Sequence, residues 1–305
     1  MATDTARTVT RQYSALIEAL MAFGDDAQAR ECATLAVRHG VWKDPLQRPS
    51  HFDPTLPQQP LYDPARFWFV PYLEGHAAAI RDEVRRVTEE GYDRLSSAGS
   101  HEPLVGSGRW SAAVFYERGV RKDDLCATFP KTAEIVSRIP DAMQSGGVVM
   151  LSWLAPGTHL VPHCGTTNTR LRVHLGIRVP EGASMRVGDR TVSWREGTCV
   201  VFDDSFEHEV WNPTAEPRVV LLFDILHPDL PEERRLAARQ HESAAVDSMV
   251  RNFMAARGIA GIARDPASGA LTVVPDEPTT RIIAHYMKDH NATRVRVANG
   301  ALVID

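Results

Sequence analysis

Residues Val161–Ile177 read VPHCGTTNTRLRVHLGI. From Arg170 onward polar and apolar side chains alternate, and in a strand positions i, i+2 and i+4 share one face. Arg170, Arg172 and His174 therefore point one way, and Leu171, Val173 and Leu175 the other. One side of this strand belongs to a core. The other offers two guanidiniums and an imidazole to a common space. Taken alone, such a face is most simply a solvated one; its surroundings in the sequence change that reading.

On both sides the texture is the same. Between residues 106 and 228 the apolar segments are short, β-branched and separated by turn chemistry: GVVMLSWL, APGTHLVPH, MRVGDRTVSW, REGTCVVFD and RVVLLFDIL. Strands of this length and spacing predict an antiparallel sandwich or barrel. His163 opens the quoted stretch, and His208 in VVFDDSFEHEVWN follows 45 residues later, just past a buried-looking strand. Two histidines on neighbouring strands of a small barrel suit imidazole ligation of a first-row transition metal, iron(II) above all. Ten residues further, Arg218 leads the otherwise apolar strand RVVLLFDIL. An arginine there needs an anionic partner, and a carboxylate fits its planar fork. His, His and Arg in this order suit a double-stranded β-helix that holds iron and 2-oxoglutarate.

The flanks differ. Residues 11–41 show helical spacing of Leu16, Ile17, Leu20 and Met21, a break at Gly24-Asp25-Asp26, and a second helical run ending at Gly40. One helical pair without a repeat of about 34 residues does not make a tetratricopeptide array. Six prolines between residues 43 and 64 lack the backbone N–H and predict an extended strap. A helix is expected over Gly75–Arg94. After Pro231 a further helix is expected, then a strand at ALTVV, a helix at TTRIIAHYMKDH and a hairpin turning at Asn299-Gly300. The expected division is thus a helical segment over 1–44, a strap over 45–64, the oxygenase barrel over 65–235 and an α+β extension over 236–305. The extension carries no chemical motif; a homodimer formed through it is an expectation.

Composition narrows the classes. The 305 residues are 43% hydrophobic, enough for a sizeable core, and 34 Lys+Arg against 39 Asp+Glu leave a net charge of −5. That balance does not support a nucleic-acid partner, which calls for a basic excess. No apolar run reaches the roughly 18–20 residues of a membrane span, and the first residues lack the order of a secretory signal. Four cysteines without a CxxC make no disulfide framework. A cytoplasmic protein is expected.

The segments HCGTTNTRLRVHLGI, GTCVVFDDSFEHEVWN and LFDILHPDL together resemble the aspartyl/asparaginyl β-hydroxylase family of iron(II)- and 2-oxoglutarate-dependent dioxygenases. The similarity runs from about residue 41 to about Pro231, and its central motifs, PGTH-x-x-PH-x-G-x-T-N and FDDSFEHEVWN, are long and specific. The resemblance implies a cupin-like double-stranded β-helix with His163 and His208 as iron ligands and dioxygen as co-reactant. It implies Arg218 and Ser152 at the distal carboxylate of 2-oxoglutarate, His174 near the other end, and Trp110 lining the site. Arg170 and Arg172 would face the substrate, Arg172 serving the cosubstrate as well. Two arginines on one strand favour a carboxylate-bearing substrate, either a small metabolite or amino acid or a peptidyl Asp/Asn side chain. With no extended repeat domain, the small molecule is slightly preferred.

The usual iron triad adds a carboxylate two residues after the first histidine. That place here is Gly165. From first principles the gap would suit a halogenase, or mark a decayed site. The resembling family also lacks the carboxylate, so the gap agrees with membership and with hydroxylation. The alternatives are another oxidative outcome, lipid hydroxylation, or a non-catalytic cupin-like metal or ligand sensor. Asp203 and Asp204 are read as turn-shaping or supporting groups, His159 as structural or supporting, Cys164 as a packed thiol, and Trp153, Trp194 and Trp211 receive no role.

Overall fold

The computed structural model describes residues 4–89, 96–97, 104–235 and the four segments 262–264, 271–273, 295–298 and 301–304. Two helices, α1 (Asp4–Ala22) and α2 (Asp26–Arg38), pack as a pair. Asp25 caps α2 by accepting from the Gln28 N–H at 3.2 Å, and Gly40 takes the left-handed turn that ends it. Trp42 closes their small core with Ile17, Ala29, Ala33 and Ala36, and its Nε1–H donates to the Pro49 carbonyl at 3.1 Å. The proline-rich strap follows and ends in β1 (Leu61–Tyr62) and a 3-10 turn at Pro64–Arg66.

Next come α3 (Phe69–Gly75), α4 (Ala77–Glu89), β2 (Ser96–Ser97), β3 (Val105–Ser107), β4 (Trp110–Glu117), β5 (Val120–Arg121) and the short helices α5 (Asp123–Thr128), α6 (Pro130–Ser137) and α7 (Pro140–Met143). The helix expected over Gly75–Arg94 is α4, beginning at Ala77, and a separate short helix, α3, precedes it on most of the aromatic run Phe67–Leu73. Phe69, Val70 and Leu73 bury one face of α3. The ring of His76 takes the Tyr72 carbonyl at 2.7 Å, in competition with the helical ladder, and the axis breaks there. The end of the expected helix lies outside the described residues.

Eight strands then follow in succession: β6 (Val148–Leu154), β7 (Thr158–His163), β8 (Arg170–Arg178), β9 (Ser184–Val187), β10 (Arg190–Val192), β11 (Cys199–Phe202), β12 (His208–Asn212) and β13 (Arg218–Leu226). They distribute over two antiparallel sheets. The larger runs β1-β11-β8-β13-β6-β4-β2, with β5 on β4; the smaller runs β10-β9-β12-β7-β3. The chain crosses between sheets at nearly every strand, which is the winding of a double-stranded β-helix.

Alternation decides what each face does. Leu171, Val173, Leu175 and Ile177 of β8, with Val219, Leu221, Phe223 and Ile225 of β13, pack outward into a core shared with α3, α4 and α6. Val220 and Leu222 of β13 turn the other way, into a core lined by Trp110, Met185, Trp194, Phe202 and Phe206. Helices cover the back of the larger sheet, so its front is free to hold polar chemistry.

Beyond Pro231, residues 232–235 begin the expected helix, and the rest of it lies outside the described residues. The tail strands β14 (Ile262–Arg264), β15 (Leu271–Val273), β16 (Val295–Ala298) and β17 (Ala301–Ile304) form one antiparallel sheet in the order β14-β15-β17-β16. β15 falls on the ALTVV segment, and β16 pairs with β17 across Asn299-Gly300; the helix expected at 279–290 lies outside the described residues. β14 was not anticipated.

Candidate metal and anion site

Strands β7 and β12 pair with His163 opposite His208. The two rings stand 4.1 Å apart between centroids and are tilted by 54°. Each ring is oriented in the same way. His163 Nδ1–H donates to the carbonyl of Val161 at 2.7 Å, and His208 Nδ1–H donates to that of Phe206 at 3.0 Å. With the proton held on Nδ1, each neutral imidazole keeps its lone pair on Nε2, the tautomer that a metal requires. Burial pushes His163 down to about 3, helped by the neighbouring His208, and His208 down to about 4. Both rings are neutral at neutral pH.

No side chain follows at Gly165, and the space is taken from the opposite loop. A Cβ on Gly165 would lie 2.5 Å from Cγ and Oδ1 of Asp204. The Gly165 N–H also donates to the Asp204 carbonyl at 2.6 Å. Burial raises the Asp204 carboxyl above its ordinary range, while the Arg172 guanidinium opposes that rise.

Arg172 reaches the site already paired. Its Nη1 lies 3.0 Å from Asp204 Oδ2, and its Nε donates to Asp224 Oδ1 at 2.9 Å. Burial pulls this guanidinium down, but the two carboxylates more than offset it. Asp224 was absent from the sequence reading, yet it is paired with Arg172 in the β13–β8 register and is 4% exposed. Its place is fixed by Gly147, whose missing side chain leaves room for the Asp224 carboxylate, and by the Val148 N–H. Arg170 donates through Nη1 to the Gly146 carbonyl at 3.1 Å.

Deeper in the same face sits Arg218, 1% exposed. Nη1 reaches Ser152 Oγ at 3.4 Å, and Cζ lies 4.6 Å from the centre of the Trp194 ring. Its Nε has no hydrogen-bond partner among the described residues. Burial alone drives this guanidinium down to about 9, with no carboxylate to offset it. Ser152 also accepts from Trp110 Nε1–H at 3.1 Å. His174, 4% exposed, accepts from Trp194 Nε1–H on Nδ1 at 3.2 Å, which places its own proton on Nε2. That Nε2 likewise has no partner among the described residues.

Trp194 thus touches both Arg218 and His174, a role the sequence reading did not give it. The signal was present only as a tryptophan near a turn, and its reach into the site follows from the crossing between sheets. His159 lies outside the cluster: it meets Glu209 at 2.8 Å and stacks on Trp211. Cys164 is pushed up to about 12 by burial, an unreactive thiol.

Two observations test whether iron(II) and 2-oxoglutarate suit these residues. The histidine pair offers two converging neutral imidazoles. Two buried donors, Arg218 Nε–H and His174 Nε2–H, have no acceptor among the described residues, a costly state unless a ligand supplies one. A small dicarboxylate supplies acceptors of that kind, so the residues present fit both groups.

Fold and site together define a double-stranded β-helix with two facing histidines and, on the inner face, a buried arginine that has no carboxylate partner among the described residues. The chain belongs to the aspartyl/asparaginyl β-hydroxylase family, whose profile matches residues 74–228. It is 33% identical over 231 residues to the human aspartyl/asparaginyl beta-hydroxylase, covering 74% of this chain and 30% of that protein. It is 32% identical over 199 residues to aspartate beta-hydroxylase domain-containing protein 2 of Mus musculus, covering 63% and 58%. It is 32% identical over 179 residues to the ornithine lipid ester-linked acyl 2-hydroxylase of Rhizobium tropici, covering 57% and 62%. The chain spans less than a third of the human relative's length. No helix among the described residues is long and apolar enough to cross a membrane.

Proposed function

We propose that this protein is an iron(II)- and 2-oxoglutarate-dependent hydroxylase acting on a carboxylate-bearing substrate. The observation that carries the reading is Arg218: a buried guanidinium with no carboxylate partner among the described residues, sharing the Trp194 indole with His174. His163 and His208 would hold the iron through Nε2. Arg218 and Ser152 would take the distal carboxylate of 2-oxoglutarate, with His174 Nε2–H donating to the cosubstrate nearer the metal. When bound, iron with 2-oxoglutarate and dioxygen supplies the oxidising power that replaces a substrate C–H hydrogen by hydroxyl, the cosubstrate leaving as succinate and carbon dioxide.

The protein's own work is positioning and charge. Trp194 holds the His174 tautomer and floors Arg218, so the anion site is formed before ligand arrives. Asp204 and Asp224 fix Arg172 in one orientation and balance its charge. Among the described residues Arg170 forms no ion pair, and it spends one donor on a backbone carbonyl, so it is the cation best placed to take a substrate carboxylate. The names of the relatives, which span Asp/Asn side chains and an acyl lipid, agree with an acidic or acid-derived substrate class.

The test is succinate release after anaerobic loading with iron(II) and 2-oxoglutarate, followed by air, across a panel of amino acids and Asp/Asn peptides. Turnover that is lost in His208→Ala is expected. A full panel with no succinate, even uncoupled from substrate, sinks the enzyme reading in favour of a ligand sensor.

A further inference from the structure

The two loops that flank the ligating histidines meet a third party, the strap that precedes the barrel. On the loop after His163, the His51 N–H donates to the Thr166 carbonyl at 2.9 Å. Asp53 and Asn168 exchange a pair of bonds there: Asp53 N–H to Asn168 Oδ1, and Asn168 Nδ2 to the Asp53 carbonyl, both 2.8 Å. On the loop before His208, the Glu207 N–H donates to the Leu46 carbonyl at 2.6 Å and the Arg48 N–H to the Ser205 carbonyl at 3.2 Å. Gln47 Nε2 donates to Asp203 Oδ2 and Ser205 Oγ, both at 3.0 Å. Eight residues, 46–53, therefore grip both halves of the histidine pair.

Arg48 is the charged member of this grip. Its Nη2 meets Glu207 Oε2 at 2.6 Å, with the two side chains 8% and 14% exposed. Glu207 immediately precedes His208, and its other oxygen accepts from Arg186 at 2.7 Å. Phe206, whose carbonyl orients the His208 ring, bridges to Gln47. Arg48 also spends Nη1 on the Pro45 carbonyl at 2.8 Å, and its own carbonyl accepts from Ser14 of α1. Breaking the Arg48–Glu207 pair would release the loop on which both the ring and its carbonyl ride. Groups that orient metal ligands are typically worth 10- to 100-fold in affinity. The strap lies ahead of the stretch matched by the family profile, which begins at residue 74.

We infer that the strap is the positioning element of the metal centre and that Arg48 is the positioning residue for His208. The inference rests on the two-histidine metal reading, and the test separates the two. Cobalt(II) alone is the probe, with the full chain, reading affinity by chelator competition and ligand geometry by visible absorption. Arg48→Met is expected to weaken cobalt binding at least tenfold and to alter the absorption, while Arg48→Lys, which keeps the charge toward Glu207, recovers most of the affinity. A role in stability alone would lower the melting temperature and leave both readouts in place.

Arg48→Met that binds cobalt within twofold of the unmodified chain, with a superimposable spectrum, overturns the inference and leaves the metal reading standing. Should that variant fail to fold, Glu207→Gln keeps the shape of the pair without its charge; it is expected to weaken cobalt equally, and unaltered affinity there overturns the inference. An unmodified chain that shows no cobalt absorption dependent on His208 overturns the metal reading and the inference with it.

Discussion

The Asp204 carboxylate fills the space in which a side chain on Gly165 would begin, and the two residues are tied by the bond from the Gly165 N–H to the Asp204 carbonyl. The missing triad carboxylate is therefore not an open gap. An acid from the loop of the second histidine occupies the volume beside the first, held there by Arg172.

Gly165→Asp, which writes the usual triad back into the sequence, is expected to lose metal affinity. The new Cβ collides with Asp204, and two carboxylates would crowd one space. Gly165→Ala should share the steric part of the loss, and Asp204→Ala added to it should recover that part. Cobalt(II) titration decides: a Gly165→Ala chain that binds as tightly as the unmodified one shows the crowding to be harmless.

Arg218→Met should separate ligand binding from folding. Removing a buried charge that has no counter-ion relieves the free chain, so its urea midpoint is expected to hold or rise. Saturating 2-oxoglutarate at about 100 times its Kd stabilises a binding chain by about 2.7 kcal/mol, and the variant should lose that shift. Its KM for 2-oxoglutarate should rise at least tenfold, as expected for a lost charge-assisted contact of about 1.5–3 kcal/mol. A cosubstrate-dependent shift that survives in Arg218→Met removes the residue from this role.

Trp194→Phe keeps a ring under Arg218 and deletes the N–H that fixes His174. The imidazole can then carry its proton on either nitrogen, so a roughly threefold to tenfold weaker 2-oxoglutarate affinity is expected, in line with one neutral hydrogen bond of about 1 kcal/mol. Isothermal titration of the metal-loaded chain checks it; an unchanged Kd means that the indole only packs.

Acid should destabilise the metal-free chain before its ordinary carboxylates titrate. Burial holds His163 at about 3, and His208 and His227 at about 4, whereas unfolded imidazoles titrate near 6.5. Below pH 6.5 the unfolded chain takes up protons that the folded chain refuses, so stability falls through the window from 6.5 to about 4. Asp203, raised by burial to about 7 from its ordinary 3.8, and Asp204, also raised by burial, act in the opposite sense, because there the folded chain holds the proton. The lowered histidines, His174 among them, outnumber these two acids, and each unopposed one contributes roughly 1.4 kcal/mol per pH unit. Urea midpoints with chelator present should be lower at pH 5 than at pH 7; equal midpoints would show that these rings are not held neutral.

Much of the barrel was legible in sequence because alternation is a local property. Arg170, Arg172 and His174 could be placed on one face from β8 alone, and Arg218 stood out as a charge at the head of an apolar strand. What pairing between distant strands decides was not legible. Asp224 shares the face of Arg218 by simple parity, yet its meeting with Arg172 depends on the β13–β8 register. Trp194 reaches His174 and Arg218 across the space between sheets, and proline content marked the strap as irregular without saying what its backbone bonds to. The short helix α3 was hidden because its seven residues, FVPYLEG, include a proline and are too few to show an amphipathic period.

The rings of His163 and His208 are both steered by main-chain carbonyls two residues earlier in the chain, those of Val161 and Phe206. Every amino acid carries a carbonyl, so any residue at 161 or 206 that keeps the backbone path supplies the same acceptor. The tautomer of this centre is thereby insulated from sequence drift. Relatives can exchange the side chains around the histidines, and with them the shape of the cavity, without having to relearn how to present two nitrogens to a metal.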